Sequence, residues 1–262
     1  MDTVPDSLPK GLRLRQLVLV AETLEPVGSF LREILELGDP YQDPGVEHFG
    51  LENLVFPVGD QFLEIVAPRE GGTTAGRYLE RFGAGGYMVI LQVPDLGAVR
   101  GRAEQVGMRS VWNGQRTEGD DRIEGLHFHP KDSGGTILSL DEVHPAGAWP
   151  WGGADWRAQV RTERVEGLRC GKLRHEDPAA QASRWRSLLD LRSDGDQGQT
   201  VVQLGGGEFV EFLPLEDERS SGLDEIGLRC PVPAVVLAAA ERAGCPTGAD
   251  WFDLGGVRFR VE

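Results

Sequence analysis

The chain has 262 residues, 40% of them hydrophobic and 26% charged, and a formal net charge of −15 at pH 7. That composition is globular, and the negative field repels phosphate backbones and anionic bilayers, so nucleic-acid and membrane binding are set aside. Cys170, Cys230 and Cys245 lie far apart with no CxxC spacing, which argues against a disulfide framework or structural zinc and for a reducing, cytoplasmic setting.

The N-terminal MDTVPDSLPKGLRLRQ holds no apolar leader segment. Leu12 to Ala21 reads as a strand. Leu24, Val27, Phe30, Leu31, Ile34 and Leu35 then recur at helical spacing, with Gly38 as the expected cap. Strands follow over Leu51–Pro57 and Gln61–Ala67, joined by Val58-Gly59-Asp60, where glycine supplies a positive φ. The order repeats. Tyr87–Val93 is a strand, Leu96–Val106 a helix, and Ile123–His129 with Thr136–Leu140 a strand pair. A third copy runs through Leu168–Arg174, a helix at Pro178–Leu189, Thr200–Leu204 and Glu208–Pro214. A fourth takes in Glu225–Cys230, a helix at Val232–Ala243, and Trp251–Val261. Strand–helix–strand–strand units repeated along a chain signal an internally duplicated fold. The connector from His144 to Val165, with Pro145, Pro150 and three tryptophans, sets a boundary between residues 1–148 and 149–262.

ENLVFPVGDQFLEIVAP, GRYLERFGAGGYMVILQVPDL and HFHPKDSGGTILSLDE together resemble the vicinal-oxygen-chelate (glyoxalase, bleomycin-resistance and dioxygenase) superfamily, its epimerase-like members above all. The resemblance covers about residues 12 to 142 and is looser over 165 to 262. It implies an α+β fold of tandem βαβββ modules, paired into two cup-shaped domains around a small organic ligand. It also implies four metal-ligand positions. Here these are Gln16, Glu64, Met88 and Ser139, and in the second half Cys170, Glu211, Glu225 and Arg260. Gln16 and Glu64 match the family pattern, whereas Met88 and Ser139 depart from it. Two side-chain oxygens and a thioether suit a hard divalent cation poorly. The expectation is therefore no resident cofactor. A divalent metal, if held, would use Gln16, Glu64 and waters.

Strand alternation sets each of these polar residues in an apolar row: Gln16 with Leu14, Val18 and Val20; Glu64 with Phe62 and Val66; Met88 with Ile90 and Gln92. Desolvation raises the pKa of such a carboxylate and suits it to proton transfer, so Glu64 is the candidate catalytic group. The alternative is an inert Glu64–Gln16 pair. His127 and His129 share a strand face and with Glu64 offer a two-histidine, one-carboxylate set. His129 or Lys131 is the alternative reader of an anionic ligand group. Trp112, with Trp149, Trp151 and Trp156, either walls a pocket or closes a seam. The substrate-binding candidates are thus Gln16, Met88, Trp112, His129, Lys131 and Ser139.

The function expected is a lyase or isomerase acting on a small oxygenated molecule through Glu64, in a chain that is a monomer or homodimer. The alternative is a non-catalytic, drug-sequestering protein. An extradiol-type dioxygenase ranks last, because the matching positions lack a His, His, Glu set.

Overall fold

The computed structural model describes residues 11–191, 198–216 and 220–262. Residues 1–10, most of the segment read as lacking a leader, lie outside the described residues. In chain order the first repeat supplies β1 (Arg13–Val20), α1 (Val27–Leu35), β2 (Leu51–Val58), β3 (Gln61–Pro68) and a linking α2 (Thr74–Phe82). The second supplies β4 (Gly85–Gln92), α3 (Leu96–Gln105), β5 (Ser110–Glu118), β6 (Asp121–Phe128), a four-residue α4 (Pro130–Ser133) and β7 (Ile137–His144). The third is β8 (Gly167–His175), α5 (Pro178–Leu189), β9 (Val201–Gln203) and β10 (Phe209–Pro214). The last is β11 (Gly222–Arg229), α6 (Pro233–Arg242), β12 (Trp251–Leu254) and β13 (Val257–Val261). The fold is mixed α+β, as expected. Among the described residues no helix is long and apolar enough to cross a membrane.

The strands form a seven-stranded sheet, ordered β2-β3-β1-β4-β7-β6-β5, and a six-stranded one, ordered β12-β13-β11-β8-β10-β9. β1 lies parallel to β3, and β4 parallel to β7, each after a helical crossover. The second repeat has the full βαβββ complement. In the first and fourth, the strand after the helix shrinks to one isolated bridge, Tyr41 with Val55 and Thr247 with Phe252.

β1 and β3 are almost continuously buried, which explains apolar residues on both their faces. β5, by contrast, alternates between exposed and half-buried positions, and its sequence SVWNGQRTE carries too few apolar residues to signal a strand. It is a strand that periodicity misses. α1 ends before the expected Gly38: Glu36 takes the left-handed cap conformation at φ 55°. The stretch Trp251–Val261 is a hairpin, broken where Gly255 and Gly256 both take positive φ.

The sheets part on either side of the connector, but compactness divides the residues otherwise. Among the described residues, one unit comprises 11–15, Met88–Pro150 and those within Cys170–Leu223; the other comprises Gln16–Tyr87, Trp151–Arg169 and Asp224–Glu262. Helix packing accounts for this, since α3 packs on α5 within the first unit and α1 on α6 within the second. In the first unit Trp185 meets Phe212 edge-on at 5.3 Å, and the Arg102 Nε donates to the Leu188 carbonyl at 2.7 Å. In the second, Phe252 stacks on its register partner Phe259 at 5.0 Å, and Phe62 meets Trp156 edge-on at 5.1 Å. Trp156 is thus core, 7% exposed, and so is Trp149, 1% exposed beneath the Arg15 guanidinium. Neither walls an open pocket.

Candidate functional site

The parallel register of β1 and β3 sets Gln16 opposite Phe62 and Val18 opposite Glu64. Gln16 and Glu64 are therefore diagonal neighbours on one sheet face, within reach of each other's side chains. The Gln16 Nε2 donates to Glu64 Oε2 at 2.6 Å. From β2 on the other side, the Asn53 Nδ2 donates to Glu64 Oε1, also at 2.6 Å. Each carboxyl oxygen thus carries one neutral amide donor. Gln16, Asn53 and Glu64 are all buried, at 2%, 2% and 6% exposure.

Burial pushes the Glu64 carboxyl up to about 7, more than the two amide hydrogen bonds pull it down, and the nearby Asp43 charge adds to the rise. The identity of the donors matters here. An arginine would hold a carboxylate in its ionised form, whereas amides aim it and still leave it basic near neutrality. Glu225, equally buried, shows the contrast: the Arg260 guanidinium donates to it at 2.8 Å. Of the two, only Glu64 is held by neutral groups through both of its oxygens.

The remaining candidates fall in the other unit. Met88 and Ser139 sit on β4 and β7, where the register pairs Met88 with Ile137 and Ile90 with Ser139. Ser139 is buried, and its hydroxyl donates to Asp141 on the same strand. On β6, His127 faces Ser139, and its ring lies against Trp112 from β5. Burial drives the His127 imidazole down to about 3, so it is neutral across the physiological range. Two glycines make room along this row. A Cβ at Gly114 would fall 2.0 Å from the Trp112 ring, and one at Gly125 would fall 3.2 Å from the Asp141 carboxylate.

His129 corrects an expectation. β6 stops at Phe128, so His129 does not share a strand face with His127. Its Nδ1 instead accepts from the Lys131 backbone N–H at 3.1 Å and caps α4, while Pro130 opens that helix. Lys131 itself is exposed on the same short helix. Nearby, a forked Arg109–Asp132 pair at 2.7 and 2.9 Å ties the start of β5 to α4 and holds the Asp132 carboxyl below its ordinary range.

The donor set does not fit a divalent cation. Both Glu64 oxygens already accept amide N–H bonds, and the Ser139 hydroxyl is spent on Asp141. Among the described residues no group of three or more His, Cys, Asp and Glu side chains is arranged to hold a metal. The two histidines of the expected two-histidine, one-carboxylate set do not share a strand face, since β6 ends at Phe128 and His129 caps α4.

Sequence reasoning brought Gln16 and Glu64 together and missed Asn53. Its signal was present: an amide at the head of the apolar run LVFPV demands a partner once the strand is buried.

The chain matches no family model. It is 28% identical over 134 residues to an ethylmalonyl-CoA/methylmalonyl-CoA epimerase of Cereibacter sphaeroides, covering 50% of this chain and 98% of that one. A hypothetical protein from Staphylococcus aureus shares the fold at a TM-score of 0.63 and 10% identity, over 96% of this chain and 99% of that one. A methylmalonyl-CoA epimerase from Mycobacterium tuberculosis aligns over 53% of this chain and 92% of its own, with a TM-score of 0.43 and 22% identity. The chain thus has methylmalonyl-CoA epimerases, members of the vicinal-oxygen-chelate superfamily, as relatives at low identity.

Proposed function

We propose that this chain is an isomerase of the epimerase type, acting on a small acyl thioester whose carbon beside the carbonyl carries an acidic proton. The observation that carries the reading is the Glu64 carboxyl, aimed by two neutral amides and raised to about 7. A general base is most effective when its pKa lies near the working pH. Ionised Glu64 would take the proton from that carbon; the C–H bond breaks and its electron pair passes to the carbonyl oxygen as an enolate. Water then delivers a proton to the opposite face of the carbon, which inverts the centre, and Glu64 gives the proton it took to solvent, so that the base is restored. The amides can stay bonded throughout, because each carboxyl oxygen has a second lone pair to receive the proton. The relative from Cereibacter sphaeroides supports the substrate class, since its name specifies malonyl-type thioesters.

The test is isotope exchange. Methylmalonyl-CoA incubated with the protein in deuterated water is expected to lose its 2-proton signal, and Glu64→Gln to abolish the loss. Exchange that persists in Glu64→Gln removes Glu64 from the chemistry. Tight binding of the thioester without exchange would replace the catalytic reading with the ligand-sequestering one.

A further inference from the structure

β5 ends the seven-stranded sheet on one side and has β6 as its one neighbouring strand. Open edges invite pairing with another strand, and proteins usually shorten them, cover them or load them with lysine and proline. The three other sheet ends follow that rule. Tyr41 bridges to β2, Thr247 bridges to β12, and β9 is three residues long. β5 instead runs for nine residues, SVWNGQRTE, without lysine or proline. Its one irregularity lies at its start, between Ser110 and Trp112.

Turn chemistry sets which backbone groups face outward. Gly119-Asp120 joins β5 to β6, Gly119 takes φ +59°, and Glu118 pairs with Asp121 across the turn. The pair closing such a turn is hydrogen-bonded, and bonded and non-bonded pairs alternate along an antiparallel ladder. Trp112, Gly114 and Arg116 therefore bond to β6, while the N–H and C=O of Asn113, Gln115 and Thr117 point away from it. All three are exposed, and among the described residues no backbone bond from another segment reaches them.

The midpoint of Ser110–Glu118 is Gly114. A two-fold axis there sets Asn113 opposite Gln115 of the partner subunit, and the two exchange their outward N–H and C=O groups. Gly114 then faces its own copy in the close, non-bonded kind of pair, with Cα atoms about 4.5 Å apart. Arg116 falls opposite Trp112 of the partner subunit, and Glu118 opposite Ser110 of the partner subunit, so no like charges meet. An axis at Arg116 would set guanidinium against guanidinium. One arginine and one glutamate leave the strand uncharged, in a chain whose net charge of −15 makes its copies repel elsewhere.

From this self-matching edge we infer that β5 is an interface strand, pairing antiparallel about Gly114 with β5 of a second copy of this chain. Such a contact is isologous and closes at two copies. It is independent of the reading of Glu64, which lies on β3.

The experiment is sedimentation velocity of the full chain over a concentration series, with circular dichroism to check folding. Wild type is expected to pass from one chain mass to two as concentration rises. Asn113→Pro removes an outward N–H that β6 does not use, so the variant is expected to fold and to stay monomeric. Asn113→Lys with Gln115→Lys sets lysine against lysine twice across the axis, and is expected to raise the dissociation constant about tenfold. Asn113→Lys with Gln115→Glu sets opposite charges at the same places and is expected to keep the dimer. If the proline variant fails to fold, the two charged pairs carry the comparison. A wild type that is monomeric at every concentration overturns the inference, and so does a dimer that the two charged pairs leave equally stable.

Discussion

The imidazole of His127 lies against the indole of Trp112, with ring centres 4.2 Å apart and planes inclined by 42°. Burial in this contact makes protonation costly and holds the imidazole well below its ordinary value, at about 3. The folded pKa lies below the unfolded one, so the linked stability is present above about 6.5 and is lost as pH falls toward 3. In nitrogen-15 spectra His127 is expected to keep a neutral, single-tautomer pattern at pH 5. An imidazolium signal for His127 at that pH would show that the contact leaves the ring open to water.

Glu64 produces the opposite slope. Its folded pKa is raised from 4.5 to about 7, so the native state holds this proton more tightly than the unfolded chain. The associated stability is complete below pH 4.5 and is lost as pH rises through about 7. The shift amounts to about 3 kcal/mol. Glu64→Gln cannot ionise, so its stability relative to wild type is expected to rise by about that amount across the window. Denaturant unfolding at a series of pH values measures this. Parallel curves for the two proteins would mean that Glu64 ionises with the same pKa in the folded and the unfolded chain.

The hairpin between β2 and β3 offers a cleaner energetic test. Gly59 takes φ +64°, and a Cβ there would fall 2.3 Å from the Glu166 carbonyl oxygen. Gly72 has φ +78° and nothing within 4 Å of the same built atom. Gly72→Ala therefore isolates left-handed backbone strain, about 1–2 kcal/mol. Gly59→Ala adds a backbone clash typical of overpacking, about 1–3 kcal/mol more. At about 2–4 °C per kcal/mol, the two melting temperatures should separate visibly, with Gly59→Ala the lower. Equal melting temperatures would mean that the Glu166 segment yields without cost.

What was legible in the sequence follows from the range of each interaction. The Gly59 turn and the alternation that sets Gln16 and Glu64 in apolar rows are local, and both were readable. β5 was not, because an exposed strand has no apolar period, and the register shift between Ser110 and Trp112 that brings Trp112 opposite His127 leaves no mark on composition. His129 was misplaced by one strand residue, enough to turn it from a sheet face to a helix cap. Asn53 was passed over because its anchoring donor is the backbone of Asp43, and a backbone N–H looks the same at every non-proline position.

The last prediction concerns metal. The superfamily resemblance points to Gln16 and Glu64 as cation ligands, but the amide of Gln16 is turned so that its Nε2, not its oxygen, meets the carboxylate. A cation at Glu64 would have to share two oxygens that each already accept an amide N–H at 2.6 Å within a buried cluster. The other two positions that the resemblance implies, Met88 and Ser139, offer a thioether and a hydroxyl, which hold hard cations weakly. Cobalt(II) added to the protein is therefore expected to develop no coordination band in its visible spectrum, and calorimetry to show no equimolar binding event. A cobalt band that Glu64→Gln abolishes would show that Gln16 and Asn53 release the carboxylate when a metal arrives. The two amides would then be placeholders for a cation, not the final partners of the base.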